Sequence, residues 1–242
     1  MAQGNRHVER ARMRVSVAEP VTARHRGASL ARTTDDAAVP SADRRDRRVA
    51  TRRRMILTAA ASSMAEHGYE RVTLEQIGEQ VGLSATGLYH YVGGKEDILA
   101  QLMTDTIDEI GLDIETLSAG SDDPEVLLRA FVRAHLRVAV TTPAGRVLSN
   151  HQDIVVSETY SDAIRYARRR HERRLESIIA DGATGSAFRA VDPRTTARFV
   201  LGALNGVPRW AGPHATTADT DAIAEQLIEL LITGIGSGTA GS

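Results

Sequence analysis

The stretch that decides the fold is residues 73–99, which read TLEQIGEQVGLSATGLYHYVGGKEDIL. Thr73 with a glutamine three residues later forms a capping box, and apolar residues follow at helical spacing, which predicts a short helix. Gly82 interrupts this pattern, as a tight turn with positive φ requires. Ser84 is a good N-cap for a second short helix, which we expect to end near Val92. Two short helices joined by a glycine turn are typical of a helix-turn-helix, whose second helix enters the major groove of DNA.

The second helix has a composition suited to contact with DNA. Residues 85–87 (Ala-Thr-Gly) are small, so the backbone can approach base edges and methyl groups can touch thymine. Residues 89–91 (Tyr-His-Tyr) are three polar-tipped rings, of which no more than one can point into a core, and the outward ones suit phosphate oxygens. Lys95 is the only lysine of the chain and lies at the start of the next helix, where anions are favoured. A small three-helix bundle in which the tyrosines only pack is the alternative.

Around this motif the chain resembles the DNA-binding head of the tetracycline-repressor (TetR) family. Members show R-x-x-I-L-x-A-A, then G-Y, then L-Y-x-x-F-x-x-K, and residues 53–60, 68–69 and 88–95 match these three patterns. Two features depart from the family: Val92 stands where phenylalanine is usual, and the frequent Gly-Thr order is reversed at Thr86. The resemblance implies a homodimeric all-α repressor whose C-terminal domain binds a small molecule and then releases DNA.

The resemblance also implies roles for individual residues of the head. Residues 48–102 contain six basic and six acidic side chains, so attraction to DNA must come from their placement and not from bulk charge. The implied phosphate contacts are Thr73, Ser84, Tyr89, Tyr91 and Lys95; the implied base contacts are Ala85, Thr86, Gly87 and His90; Arg52 and Arg53 add positive charge near the first helix.

Composition and charge exclude several classes of protein. The 242 residues include no cysteine, which excludes disulfides and thiolate chemistry. No apolar run reaches the length of about 18 residues that a membrane helix needs, and no signal peptide is recognisable, so we expect a cytoplasmic protein without a membrane partner. Residues 1–54 carry fourteen arginines against six acidic residues, while the whole chain has a net charge of −1, so the remainder is acidic. This asymmetry favours a nucleic-acid-facing end, although a solvated basic tail is the alternative.

Hydrophobic periodicity predicts an all-α fold with about nine helices, since no segment alternates as a strand does. The expected helices cover residues 48–67, 74–81, 85–92, 95–117, 124 onward, 143–152, 157–181, 193–207 and 218–234. Asp123 and Asp192, each before a proline, are the expected N-caps of two of them, and Gly182 is the expected stop of the seventh. The expected domains are a disordered Arg-rich extension at 1–47, a helix-turn-helix domain at 48–94, a ligand-binding and dimerisation domain at 95–234, and a flexible tail at 235–242. The extension is either a second DNA contact or dispensable for the fold.

A ligand pocket is expected between the helices that begin near residues 127, 143 and 157, because pockets form between the helices of bundles. Arg209 beside Trp210 is similar to the Arg-Trp pair of TetR-type regulators that respond to acyl-CoA thioesters, and such a pair suits a phosphate and an adenine. The alternative is a tryptophan that packs at a dimer interface. The candidate ligand-binding residues are Phe131, His135, His151, Gln152, Tyr160, Ile164, His171, Asn205, Arg209 and Trp210. The histidines lack tight ligand spacing, so we expect no metal and no cofactor.

These patterns together predict a regulator and not an enzyme. The sequence has no nucleophile elbow, zinc-protease motif or phosphate-binding loop. We therefore expect a TetR-type repressor that binds double-stranded operator DNA, dimerises through its last two helices and is released by a small-molecule effector, such as an acyl-CoA or another apolar metabolite. The alternatives are an efflux regulator that responds to diverse hydrophobic compounds and an architectural DNA-binding protein without a ligand.

Overall fold

The computed structural model describes residues 41–150, 157–212 and 214–236, and nine helices lie within these ranges. They are α1 (Ser41–His67), α2 (Leu74–Gln80), α3 (Ala85–Leu88), α4 (Lys95–Ser118), α5 (Pro124–Thr141), α6 (Pro143–Asn150), α7 (Glu158–Thr184), α8 (Pro193–Ala211) and α9 (Thr217–Ile235). The β pairing in these ranges is a single bridge between Phe188 and Gly236, which confirms the all-α prediction. The candidate residues His151 and Gln152 lie outside the described residues, as do most of the two terminal segments.

Side-chain caps begin several helices at the predicted residues. The backbone N–H of Gln76 donates to Oγ1 of Thr73 (3.3 Å), and the N–H of Thr73 donates to the Gln76 side chain (2.9 Å), which completes the capping box of α2. Oγ of Ser84 accepts a backbone N–H at the start of α3. Asp123 and Asp192 cap α5 and α8 in the same way, and each is followed by a proline at the first helical position.

Two helix ends in the first part of the chain differ from the prediction. The first helix begins at Ser41 and not at residue 48, so the predicted disordered extension was too long at its C-terminal end. Residues 44–50 are all exposed, and apolar periodicity reveals only helices that bury a face. The third helix ends at Leu88 and not near Val92, because the chain tightens into turns in which the N–H of Tyr91 donates to the carbonyl of Leu88 (2.8 Å).

Two later helices are longer than predicted. Gly182 does not end α7, which continues to Thr184. A Cβ at Gly182 would lie 2.1 Å from the ring of Phe188, so this glycine makes room for a side chain and does not serve as a helix stop. Helix α8 continues through Pro208 to Ala211 and ends at Gly212, whose φ of 86° suits a glycine.

The helices bury two main cores. We call α1–α3 with the first turns of α4 the head, and the remaining helices the body. The head core contains Ile56, Met64, Ile77, Leu88 and Ile98, all buried, and it also takes in Val147 from α6. The central helix of the body is α5, which packs against α4, α6, α7, α8 and α9. No helix in the described part of the chain is both long enough and apolar enough to cross a membrane.

Candidate nucleic-acid interface and ligand cavity

The recognition helix α3 is anchored by one buried side chain and exposes its opposite face. Leu88 is fully buried, while Thr86 and His90 are exposed and Tyr89 is 60% exposed. Tyr91 is half-buried and packs against the head core, so one of the three neighbouring rings faces inward and two face outward. This leaves hydroxyl and imidazole groups free on the surface that a major groove would meet.

Two glycines fix the angle between α2 and α3. Gly82 has a φ of 67°, which lets the chain turn sharply between the two helices. A Cβ at Gly78 would lie 2.5 Å from the carbonyl oxygen of Leu83, whose own N–H donates to the carbonyl of Gly78 (2.8 Å). The close approach of these backbones holds α3 outward from its supporting helix.

Lys95 is held at the edge of this surface by contacts within the head. Its Nζ lies 4.5 Å above the centre of the Tyr69 ring and donates to the carbonyl of Glu70 (3.4 Å). Burial raises the pKa of the Tyr69 hydroxyl, with smaller contributions from the acidic groups of Glu96 and Glu70. The ring therefore stays neutral beneath the ammonium group, which remains partly exposed.

Arg52 and Arg53 make contacts that hold the head helices together. The guanidinium of Arg52 donates to the carbonyl of Val81 (2.8 Å) at the end of α2. Arg53 pairs with the carboxylate of Asp97 (3.2 Å), which also accepts the N–H of Gly93 (2.9 Å). Both arginines are partly exposed, and the structure shows that each positions a neighbouring helix.

The additional turns of α1 place several basic residues on a helix, although the sequence predicted these residues to lie in the Arg-rich extension. Arg44, Arg45, Arg47 and Arg48 are exposed there, next to no apolar stripe. Asp43 and Arg47 are four residues apart in the sequence, a spacing that favours a helix and could have indicated these turns.

A cavity of about 320 Å³ lies between α4, α5, α6, α7 and α8. This volume is near the lower end of the range of small-molecule pockets, roughly 300–1,000 Å³. Its apolar wall includes Met103, Ile107, Ile110, Leu148 and Leu201, and its polar groups include Thr106, His135, Ser149, His171 and Asn205. Arg168 and Glu172 complete the lining with opposite charges. The cavity therefore has an apolar part and a polar part, as a site for an amphipathic molecule requires.

Two histidines meet in the polar part of the cavity. Nδ1 of His135 and Nε2 of His171 are 3.0 Å apart, and the residues are only 4% and 9% exposed. Phe131 stacks against both rings, with centroid distances of 6.2 Å and 4.7 Å. Burial lowers the pKa of both imidazoles, and the nearby His135 lowers the pKa of His171 further. Both rings are therefore neutral at physiological pH.

Comparison with known proteins assigns both halves of the chain. Residues 56–102 match the family described as bacterial regulatory proteins, tetR family, and residues 121–235 match the tetracyclin repressor-like C-terminal domain. Together the two matches span more than half of the chain. The chain belongs to the TetR family.

Individual proteins resemble this chain over about three quarters of its length. The HTH-type transcriptional repressor KstR2 of Rhodococcus jostii strain RHA1 is 24% identical over 200 residues, which cover 77% of this chain and 92% of that protein. The TetR family transcriptional regulator PfmR from Thermus thermophilus has a TM-score of 0.65 at 29% identity, covering 76% of this chain and 96% of that one. AibR in complex with isovaleryl coenzyme A and operator DNA has a TM-score of 0.65 at 22% identity, covering 74% and 97%, which shows a shared fold.

The TetR assignment confirms that the chain is a DNA-binding transcriptional regulator and not an enzyme. The buried position of Val92 (3% exposed) shows that valine fills the place where the family usually has phenylalanine. Among the described residues there is no group of three or more side chains that could hold a metal ion together.

The structure brings only some of the predicted ligand residues to the cavity. His135, His171 and Asn205 line it, and Phe131 lies behind the histidines. Ile164 packs in a small cluster with Ala100, Met103, Ile107 and Ala167, and Tyr160 has its hydroxyl next to Gly93. Arg209 lines a separate groove between α1, α6 and α8, and Trp210 is 61% exposed.

Two elements connect the TetR cavity to the head. In α6, Val147 is buried in the head core while its neighbours Leu148 and Ser149 line the cavity. At the start of α7, the N–H and hydroxyl of Ser157 donate to the carboxylate of Glu96 in the head. Neither connection is predictable from the sequence, because each depends on how the helices pack.

Proposed function

We propose that this TetR-family protein is a repressor that leaves operator DNA when a small, largely apolar effector fills the cavity. The observation that carries the proposal is α6, because one of its residues is buried in the head core and the next two line the cavity. A ligand that displaces α6 must therefore disturb the packing beneath the recognition helix. Coupling free energies of this kind are typically about 1–3 kcal/mol. The proposed target is chromosomal DNA, so we place the protein in the cytoplasm.

We propose a homodimer as the DNA-binding form, with α8 and α9 at the interface. Five residues of α8 follow one another at helical spacing on an exposed face, and we call them the α8 stripe: Phe199, Gly202, Ala203, Gly206 and Trp210. Phe199 is 73% exposed, and a Cβ at either glycine would meet open space. Exposed apolar surface of this kind marks an interaction site. A two-fold dimer would place two recognition helices one turn of DNA apart, at about 34–36 Å.

The effector class that we favour is an acyl thioester, because the fold neighbour AibR is known in complex with isovaleryl coenzyme A. A cavity of about 320 Å³ accommodates a small acyl chain, so the nucleotide part would lie outside it. The cavity shares Glu172 with a groove that also contains Arg169, Arg173, Arg194 and Arg198, which we call the arginine groove. Guanidinium groups bind phosphates well, and this groove borders the cavity, so we propose it as the site of the phosphates. The groove with Arg209 and Arg146, where the sequence predicted a phosphate contact, shares no lining residue with the cavity.

The cavity also bears on the two alternative functions, an architectural DNA-binding protein and an efflux regulator. An architectural DNA-binding protein has no need for a cavity that contains a buried polar pair. An efflux regulator with broad specificity would use the same cavity. A thermal-shift screen that compares acyl thioesters with unrelated apolar compounds distinguishes such a regulator from one that is specific for acyl thioesters.

The DNA-binding half of the proposal is tested by Tyr89→Ala and Lys95→Ala. We expect each to weaken operator binding by about 5- to 100-fold, as the loss of one charged or hydrogen-bonding contact does, without loss of helical structure. Lys95→Ala should also reduce the slope of log K against log salt by about one. Tyr166→Ala is the matched control, since Tyr166 is 67% exposed on α7, away from the head. Unchanged affinity in both head variants, measured by fluorescence anisotropy, would refute the role of this surface.

A further inference from the structure

The polar part of the cavity contains a buried nitrogen atom without a hydrogen-bond partner. His135 lines the cavity, its Nδ1 is occupied by His171, and its Nε2 makes no hydrogen bond within the described part of the chain. The side chain of Asn205 is the nearest candidate partner: it raises the pKa of His135 as a hydrogen-bonding group does, but its geometry with Nε2 falls short of a hydrogen bond. Buried polar atoms are nearly always satisfied in folded proteins, so a free one in a ligand cavity indicates that the ligand supplies its partner.

The pairing of the two rings decides whether Nε2 of His135 donates or accepts. Each neutral imidazole carries one proton, and one of these protons lies in the 3.0 Å contact between the rings. His171 also borders a surface groove that Arg170 and Arg174 line, and both cations lower its pKa. Nε2 of His171 faces His135, so Nδ1 is the ring nitrogen left for other neighbours, and nearby cations disfavour a proton on it. With Nδ1 bare, Nε2 of His171 would donate to His135, and the proton of His135 would lie on its own Nε2.

We propose that His135 donates a hydrogen bond from Nε2 to an uncharged carbonyl oxygen of the effector. This inference rests on the proposed function, because it takes the cavity as the effector site. The aliphatic part of the ligand would lie against Met103, Ile107 and Leu148. At this hydrogen bond a carboxylate is disfavoured, because the two neutral imidazoles supply no positive charge to compensate its burial. His171 is a positioning residue, since it acts by fixing the proton of His135.

The tautomer is testable on the native protein without any ligand. Imidazole ¹⁵N chemical shifts of histidine-labelled protein should show His135 protonated on Nε2 and bare on Nδ1. His135→Gln and His171→Gln variants assign the signals by the loss of one set each. In His171→Phe, nothing holds the proton, so the ¹⁵N shifts of His135 should move towards a mixture of tautomers. A native His135 that is protonated on Nδ1 would overturn the proposal.

Three isosteric probes test the carbonyl contact: 2-heptanone, 2-methyl-1-heptene and hexanoate. The ketone should bind about tenfold more tightly than the alkene, as one satisfied hydrogen bond implies, and hexanoate should bind more weakly than the ketone. His135→Phe should bind ketone and alkene alike. Equal binding of ketone and alkene to the native protein, a preference for hexanoate, or no binding of any probe would overturn the proposal. Operator binding and its release are measured on the same samples and test the proposed function separately. An alkene that releases DNA as well as the ketone does would support the cavity as the effector site and overturn only the carbonyl contact.

Discussion

At the scale of single residues, His135 and His171 show how this protein tolerates polar groups in its interior. Two imidazoles satisfy one another across 3.0 Å, and Phe131 covers them on one side. Because burial lowers the pKa of both rings, the folded protein favours their neutral forms. An unfolded histidine has a pKa near 6.5, so the two states bind protons differently in mildly acidic solution.

The first prediction concerns stability and pH. Below about pH 6.5 the unfolded chain takes up protons that the two buried rings do not, so stability falls as the pH falls. We expect the pair to lower the free energy of unfolding by about 2 kcal/mol between pH 7 and pH 5.5, as urea denaturation would measure. His171→Phe should flatten this dependence, while His90→Gln, at an exposed position, should keep it. A native protein that gains stability over this range would contradict the assignment of neutral rings.

The second prediction concerns Gly182, which the sequence suggested as a helix stop. A methyl group at this position would lie 2.1 Å from a ring carbon of Phe188, so Gly182→Ala should destabilise the protein by about 1–3 kcal/mol, despite the better helix propensity of alanine. In a Phe188→Leu background the same change should cost less, because the ring is gone. Chemical denaturation of the four proteins gives the interaction free energy, and a stabilising Gly182→Ala would show that the space is larger than described.

At the scale of helices, starts marked by a capping residue were predictable from the sequence, whereas the start of α1 and several helix ends were not. Thr73, Ser84, Asp123 and Asp192 cap helices where the sequence placed them, because a cap is a local hydrogen bond between a side chain and a backbone N–H a few residues later. An end depends on what the last turn packs against. The ring of Phe188 packs against Gly182 near the end of α7, a contact that the sequence does not reveal.

The third prediction concerns α8 as a dimer element. Ala203→Arg places a charge in the middle of the α8 stripe, between Phe199 and Trp210. We expect a monomer in analytical ultracentrifugation and operator binding weakened by at least about tenfold, because a monomer contacts one half-site. Leu112→Arg is the control, since Leu112 is 66% exposed on α4 and lies outside the stripe. A dimer that survives Ala203→Arg unchanged would place the interface elsewhere.

At the scale of the whole molecule, the contents of the cavity were only partly predictable. The sequence named His135 and His171 as liners but could not pair them, because they are 36 residues apart and meet only when α5 packs on α7. From the sequence, Arg209 was predicted to contact a phosphate because it is next to Trp210. The arginine groove was not foreseen, since its four arginines belong to two helices that are separate in the chain.

The fourth prediction separates these two arginine-bearing surfaces. If the effector is an acyl-CoA, the double change Arg169→Ala and Arg173→Ala should raise the concentration needed to release DNA by about 10-fold or more, through the loss of phosphate contacts. Arg209→Ala should leave it unchanged. Titration of operator complexes with isovaleryl-CoA measures both. The reverse pattern would place the phosphates beside Arg209 and Trp210.

Lys95 has a practical consequence for work with this protein. It carries the only side-chain primary amine of the chain, and it lies over Tyr69 at the edge of the recognition surface. An acylating reagent would thus label one side chain, and the mass of the intact protein would report whether operator DNA shields it. For the same reason, covalent attachment to a sensor through this side-chain amine would tether the protein by the face proposed to meet DNA, so immobilisation should use another chemistry.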